Sequence, residues 1–133
     1  GRLRTCYPWE TLDVFLDFFM GNGGPELRNR SRESPPFKAD RALEIGPPDL
    51  VLVWREQRHS VDVMEQSRPE WVLLYQDQLA QLWGRSDRYD NPASPDYIPT
   101  WRRKVTELPQ VGSVPWPALP RVEAAGETRL AGR

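Results

Sequence analysis

The stretch from Ser67 to Gly84 reads SRPEWVLLYQDQLAQLWG, and its assignment decides the fold. Ser67 and Glu70 have the spacing of a capping box, Pro69 falls in a first turn where its missing N–H costs nothing, and Gly84 supplies a stop. Val72, Tyr75, Leu79, Leu82 and Trp83 then share one helical face, with Trp71 and Leu74 at its edge and Gln76, Asp77, Gln78 and Gln81 opposite. The pattern predicts an amphipathic helix from Arg68 to Trp83 with Leu79 at the centre of its buried stripe.

Upstream, Leu50 to Trp54 (LVLVW) is short, apolar and β-branched, which suits a strand. Ser60 to Glu65 alternates Val61 and Val63 with polar positions, as a half-buried strand would, so the two are expected to pair as a hairpin. The connection Arg55 to His59 lacks the Gly or Asn of the favoured tight turns, which keeps a helical reading of Ser60 to Glu65 open. Further back, a helix is predicted from Pro8 or Trp9 to Met20. Trp9, Leu12, Phe15, Leu16 and Phe19 form its apolar face and Asp13 and Asp17 its wet one, and Gly21 to Gly24 end it. Pro25 to Pro36 is polar with only Leu27 to bury and reads as an exposed loop, while Phe37 to Ile45 has the makings of a short helix ended by Gly46, Pro47 and Pro48.

Downstream, three prolines among several Asp and Ser make Arg85 to Pro99 a loop. A short helix from about Thr100 would carry Trp101, Val105 and Leu108 inward before Pro109. The expected architecture is therefore a small, mostly helical α+β domain over residues 1–108, with a candidate β-hairpin between its two main helices. Residues 109–133 hold four prolines and weak periodicity, and are expected to form an extended or disordered Pro-rich tail.

Composition narrows the function. The 133 residues contain 6 Trp and 14 Pro beside 1 Cys and 1 His, so contact residues abound and matched catalytic groups do not. His59 stands alone in a polar run and is expected to be a solvated loop residue; no Gly-x-Ser-x-Gly elbow occurs, and the lone Cys6 excludes an intramolecular disulfide framework and any cysteine-based metal site. Cys6 fits a reducing, intracellular compartment. A net charge of -1 argues against a general nucleic-acid binder, and no apolar run is long enough to span a membrane, so a soluble chain is expected. No cofactor, metal or small-molecule substrate is indicated.

One short pattern bears on enzymatic chemistry. Pro48 and Asp49, then LVLVW, then Glu56, Gln57 and Arg58 resemble the PD and ExK arrangement of restriction-type nucleases. The resemblance spans about eleven residues and implies Mg²⁺ held by Asp49 and Glu56. Arg58 stands where that family has Lys, and a guanidinium does not readily give up a proton. A turn and a strand flanked by charges account for the same letters.

Two further motifs concern modification. Gly1 and Thr5 match a myristoylation signal if a Met preceded them, with Cys6 as a second acylation site and Arg2 and Arg4 favouring anionic lipid. A Gly left at a cleavage boundary explains the same letters and is the favoured reading. Asn29, Arg30 and Ser31 form a glycosylation sequon, effective only in a secreted chain.

The reading that follows is a non-enzymatic protein-interaction module, an adaptor or a subunit of a larger assembly. Its candidate contacts are Trp101, Arg102 and Arg103, an aromatic beside cations, and Pro115, Trp116 and Pro117, a preorganised extended segment within VPWPALP. The expected partner is a protein. The alternatives are a membrane-associated structural protein, held only if Gly1 is acylated, and the metal-dependent nuclease.

Overall fold

A computed structural model describes residues 7–22 and 30–109. Those residues form a small mixed α+β domain with a four-stranded sheet and four α-helices. In chain order they are α1 (Trp9–Met20), α2 (Arg41–Glu44), β1 (Leu50–Trp54), α3 (Arg58–Gln66), β2 (Trp71–Gln76), β3 (Ala80–Arg85) and α4 (Ser86–Tyr89). A 3-10 turn (Thr100–Arg102) and β4 (Lys104–Val105) follow. The strand order is β1-β3-β2-β4, antiparallel except for the β2–β4 pair.

The expected helix from Arg68 to Trp83 is instead the hairpin β2–β3. Trp71 to Tyr75 is five consecutive apolar residues rich in β-favouring aromatic and branched types, which a sheet buried on one face and partly covered on the other can use throughout. The polar residues that suggested a wet helical face are spent inside the hairpin. Gln76 and Gln81 lie opposite each other, and the Gln81 amide donates to Gln76 Oε1 at 2.7 Å. Trp83 Nε1–H in turn donates to Gln81 Oε1 at 3.1 Å, and the Gln76 amide donates to Glu107 at 2.6 Å. Leu79 falls in the connecting loop, 61% exposed, rather than in the core. Gly84 is a strand residue: a Cβ there would meet Leu74 Cδ1 at 2.5 Å and the Tyr89 ring at 2.6 Å, so its absence lets α4 close on the sheet.

Asp77 makes the turn without glycine. Its Oδ1 accepts the N–H groups of Leu79 (2.8 Å) and Ala80 (2.9 Å), and its Oδ2 accepts the Tyr75 hydroxyl at 2.6 Å. The hydroxyl and then the two N–H donors hold the carboxyl below the usual Asp range, with the Arg55 charge adding to them, and the same contact raises the Tyr75 phenol. A carboxyl whose folded pKa is depressed adds stability that is present above its unfolded value of about 3.9 and is lost as pH falls through the folded value. Urea melts of the parent and Asp77→Asn are therefore expected to differ most near neutral pH and to converge as the pH drops below about 4. A gap that persists unchanged into acid would show that Asp77 acts by shape rather than charge.

The candidate hairpin of β1 with Ser60–Glu65 does not form: β1 pairs with β3, and Arg58–Gln66 is α3. Ser60, Val63 and Met64 are buried together, the i, i+3, i+4 spacing of a helix, and Met64 and Val63 join Phe18, Val53, Trp71 and Trp83 in the core. His59 is correspondingly in α3, its Nε2–H facing the Asp17 carbonyl at 3.0 Å and its ring so close to Gly21 that a Cβ would lie 2.9 Å away. The expected helix at Phe37–Ile45 contracts to α2. The expected helix beyond Thr100 becomes the 3-10 turn and β4, which leave Trp101, Val105 and Leu108 outside, 80%, 54% and 70% exposed. The tail from 110 onward lies outside the described residues.

Candidate functional site

Helix α1 forms where expected but turns the other way. Its buried residues are Asp13, Val14, Asp17 and Phe18, whereas Phe15 is 54% exposed and Trp9 39%. The segment that follows explains the rotation. Asp13 Oδ2 accepts the Ser31 N–H at 2.9 Å and the Ser34 hydroxyl at 2.5 Å, and Asp17 is ion-paired with Arg30, which also donates to the Pro35 carbonyl. Two interior carboxylates thus anchor residues 30–35 on α1. The aromatic face this leaves outside is ordered: the Phe15 and Phe19 rings stack with centroids 5.7 Å apart.

That face meets the β1 edge of the sheet, where no further strand pairs among the described residues. Phe15, Phe18 and Phe19 line one side of an open groove of about 440 Å³, and the strand edge from Leu52 to Trp54 with Leu79 and Ala80 lines the other. Along β1, Val51 and Val53 face the helices while Leu50, Leu52 and Trp54 face away, 45%, 70% and 51% exposed. A second shallow apolar depression, lined by Tyr7, Thr11, Leu12, Phe15 and Leu16, continues the surface along α1.

The hydrogen-bond phase shows what the edge offers. Arg85 N–H donates to the Asp49 carbonyl at 3.2 Å and Arg55 N–H to the Leu79 carbonyl at 2.8 Å, so the odd-numbered residues 49 to 55 bond β3. Leu50, Leu52 and Trp54 consequently direct their N–H and C=O groups away from the sheet; of these, the Trp54 carbonyl accepts Gln57 N–H at 3.0 Å. No lysine, proline or bulge interrupts β1, although such features ordinarily guard an exposed edge.

The residues singled out by sequence are dispersed. Trp101 and Arg102 stand together at the surface, the guanidinium carbon 5.4 Å from the indole centroid. Arg103 points elsewhere, donating to the Ile98 carbonyl at 2.9 Å and pairing with Asp90. Pro115, Trp116 and Pro117 lie outside the described residues, as do Gly1, Cys6 and Asn29. Asp49 and Glu56 flank opposite ends of β1, roughly 20 Å apart at strand spacing, and Asp49 pairs with Arg88. They do not converge on one ion, and no cluster of three or more His, Cys, Asp or Glu suited to a metal occurs among the described residues. Nor is any helix among them long and apolar enough to cross a membrane. Comparison of the chain with protein-family models, curated proteins and solved structures finds no match.

Sequence reasoning named the apolar residues of α1 and β1 but assigned the former to the core. The signal it lacked was the pairing of Asp13 and Asp17 with Arg30, Ser31 and Ser34, which are neighbours only after folding.

Proposed function

We propose that this chain is a non-enzymatic protein-interaction module that engages its partner through the groove between α1 and the β1 edge. One observation carries the reading: the domain buries two carboxylates of α1 while leaving Phe15 half exposed beside Leu52, Trp54 and Leu79. A contiguous apolar surface of this kind marks an interaction site more often than scattered apolar residues do. The outer edge of β1 adds a backbone template, so an extended segment would gain main-chain hydrogen bonds from β1 and side-chain contacts from the phenylalanine wall. Trp101 with Arg102, and the segment Pro115 to Pro117, are secondary contacts in this proposal.

Site-specific photocrosslinking tests it. With p-benzoylphenylalanine introduced at Phe15 or Leu79, covalent protein products are expected, and none from the exposed control positions Glu33 and Ala93. Combining either probe with Trp54→Ser should reduce the product by up to about thirtyfold at sub-saturating concentration, since losing a buried aromatic anchor costs about 2 kcal/mol. The half-exposed Trp54 should cost the free fold no more than about 1 kcal/mol. Equal crosslinking from groove and control positions would overturn the reading.

A further inference from the structure

We infer that the occupant of the β1 edge is a second copy of this chain, paired antiparallel through β1 about a two-fold axis at Leu52. The inference rests on the reading of that edge as the interaction surface and adds the identity of the partner. The outward N–H and C=O groups belong to Leu50, Leu52 and Trp54. An antiparallel copy centred on Leu52 sets Leu52 against its equivalent and Leu50 against Trp54 of the second copy, the alternation an antiparallel ladder requires.

The side chains agree with the backbone. On the outer face this register stacks Leu50, Leu52 and Trp54 on their counterparts, all of them exposed in the single chain. One position further out, Asp49 falls opposite Arg55 of the second copy. The sequence Asp-LVLVW-Arg is therefore complementary to itself when reversed and carries no like charges opposite one another. Each end already holds an ion pair, Asp49 with Arg88 at one and Arg55 with Glu107 at the other, so the two-fold sets opposite charges side by side. A parallel copy in the same register would place Asp49 beside Asp49 and Arg55 beside Arg55. Pairing of this kind is isologous and closed, extending the sheet from four strands to eight and covering the β1 edge of both copies at once, with β4 at the two outer edges.

Analytical ultracentrifugation of the full chain and its variants tests the inference. The parent is expected to sediment as a dimer. Leu52→Pro should weaken it at least about tenfold while leaving the β1–β3 ladder intact, because the lost N–H points outward. Leu52→Lys is the second variant should proline perturb the strand. Asp49→Lys and Arg55→Glu each place like charges in register and should each shift the protein to monomer, whereas mixing the two should restore pairing as a heterodimer. A parent that is monomeric at the highest attainable concentration overturns the inference, as does a dimer untouched by both Leu52 variants or a mixture that fails to pair. If that monomer still crosslinks another protein from Phe15 and Leu79, the groove remains an interaction surface and only the second copy is lost as its occupant; if it crosslinks nothing, both readings fall.

Discussion

Trp83→Ala is expected to lower the free energy of unfolding by about 3 to 5 kcal/mol, the range for truncating a buried aromatic. Trp83 is 0% exposed, lies in the middle of β3 opposite Val51 and Leu73, and belongs to the one core cluster that joins Val63 and Met64 of α3 and Phe18 of α1 to Val53 and Trp71 of the sheet. Its indole N–H donates to the buried Gln81, and the Arg68 guanidinium sits 4.8 Å above its ring. Removal thus leaves a cavity, strips Gln81 of a donor and deletes the cation–π contact with Arg68 at once. Because a domain of this size is stabilised by only about 5 to 15 kcal/mol, the loss removes a large share of the total. Leu79→Ala supplies the contrast: its side chain occupies the hairpin loop and should cost less than about 0.5 kcal/mol in the free chain. Urea melts followed by far-ultraviolet circular dichroism measure both. A reversal of the two costs would restore the helical assignment of Arg68 to Trp83, in which Leu79 is central and the hairpin does not exist.

That helical assignment went astray for identifiable physical reasons. Ser67 and Glu70 have the spacing of a cap and Gly84 the position of a stop, yet Ser67 spends its hydroxyl on the Val63 carbonyl at the end of α3, and Gly84 makes room for Leu74 and Tyr89. The polar residues on the supposed wet face also fit a hairpin in which Gln76 opposes Gln81 and Asp77 caps the turn. Five uninterrupted apolar residues from Trp71 to Tyr75 were the stronger signal, since a surface helix needs polar positions within that span. Ser60 to Glu65 failed in the opposite sense: two alternating valines suggested a strand, but Ser60, Val63 and Met64 also meet helical spacing, and only packing against α1 selects between them. By contrast LVLVW and the span Trp9 to Met20 were legible because length, composition and the stop at Gly21 agree. For the candidate site, the residues could be named from sequence but not their direction, because the choice of face on α1 is set by side chains 13 to 21 positions away.

The long-range control of that face yields the other large effect. Arg30→Met is expected to destabilise the domain by about 3 to 5 kcal/mol, the cost of breaking a buried ion pair from one side. Asp17 is fully buried, and its carboxylate would lose its guanidinium counterion without gaining water. The double variant Asp17→Leu with Arg30→Met should recover most of that loss, because an apolar pair of similar volume removes the desolvation cost along with the attraction. Melts of the two single variants and the double variant form the cycle, and a coupling energy of about 2 kcal/mol or more is the expected outcome. The same set of proteins links stability to the interaction surface. With Arg30 and Asp17 both apolar, the leucine supplied by Asp17→Leu and the Asp13 contacts to Ser31 and Ser34 still hold that side of α1 inward, so photocrosslinking from Phe15 should be retained in the double variant. If the single Arg30→Met variant costs less than about 1 kcal/mol, the carboxylate is satisfied without Arg30. In that case the burial of Asp13 by Ser31 and Ser34 alone would have to hold Phe15 at the surface.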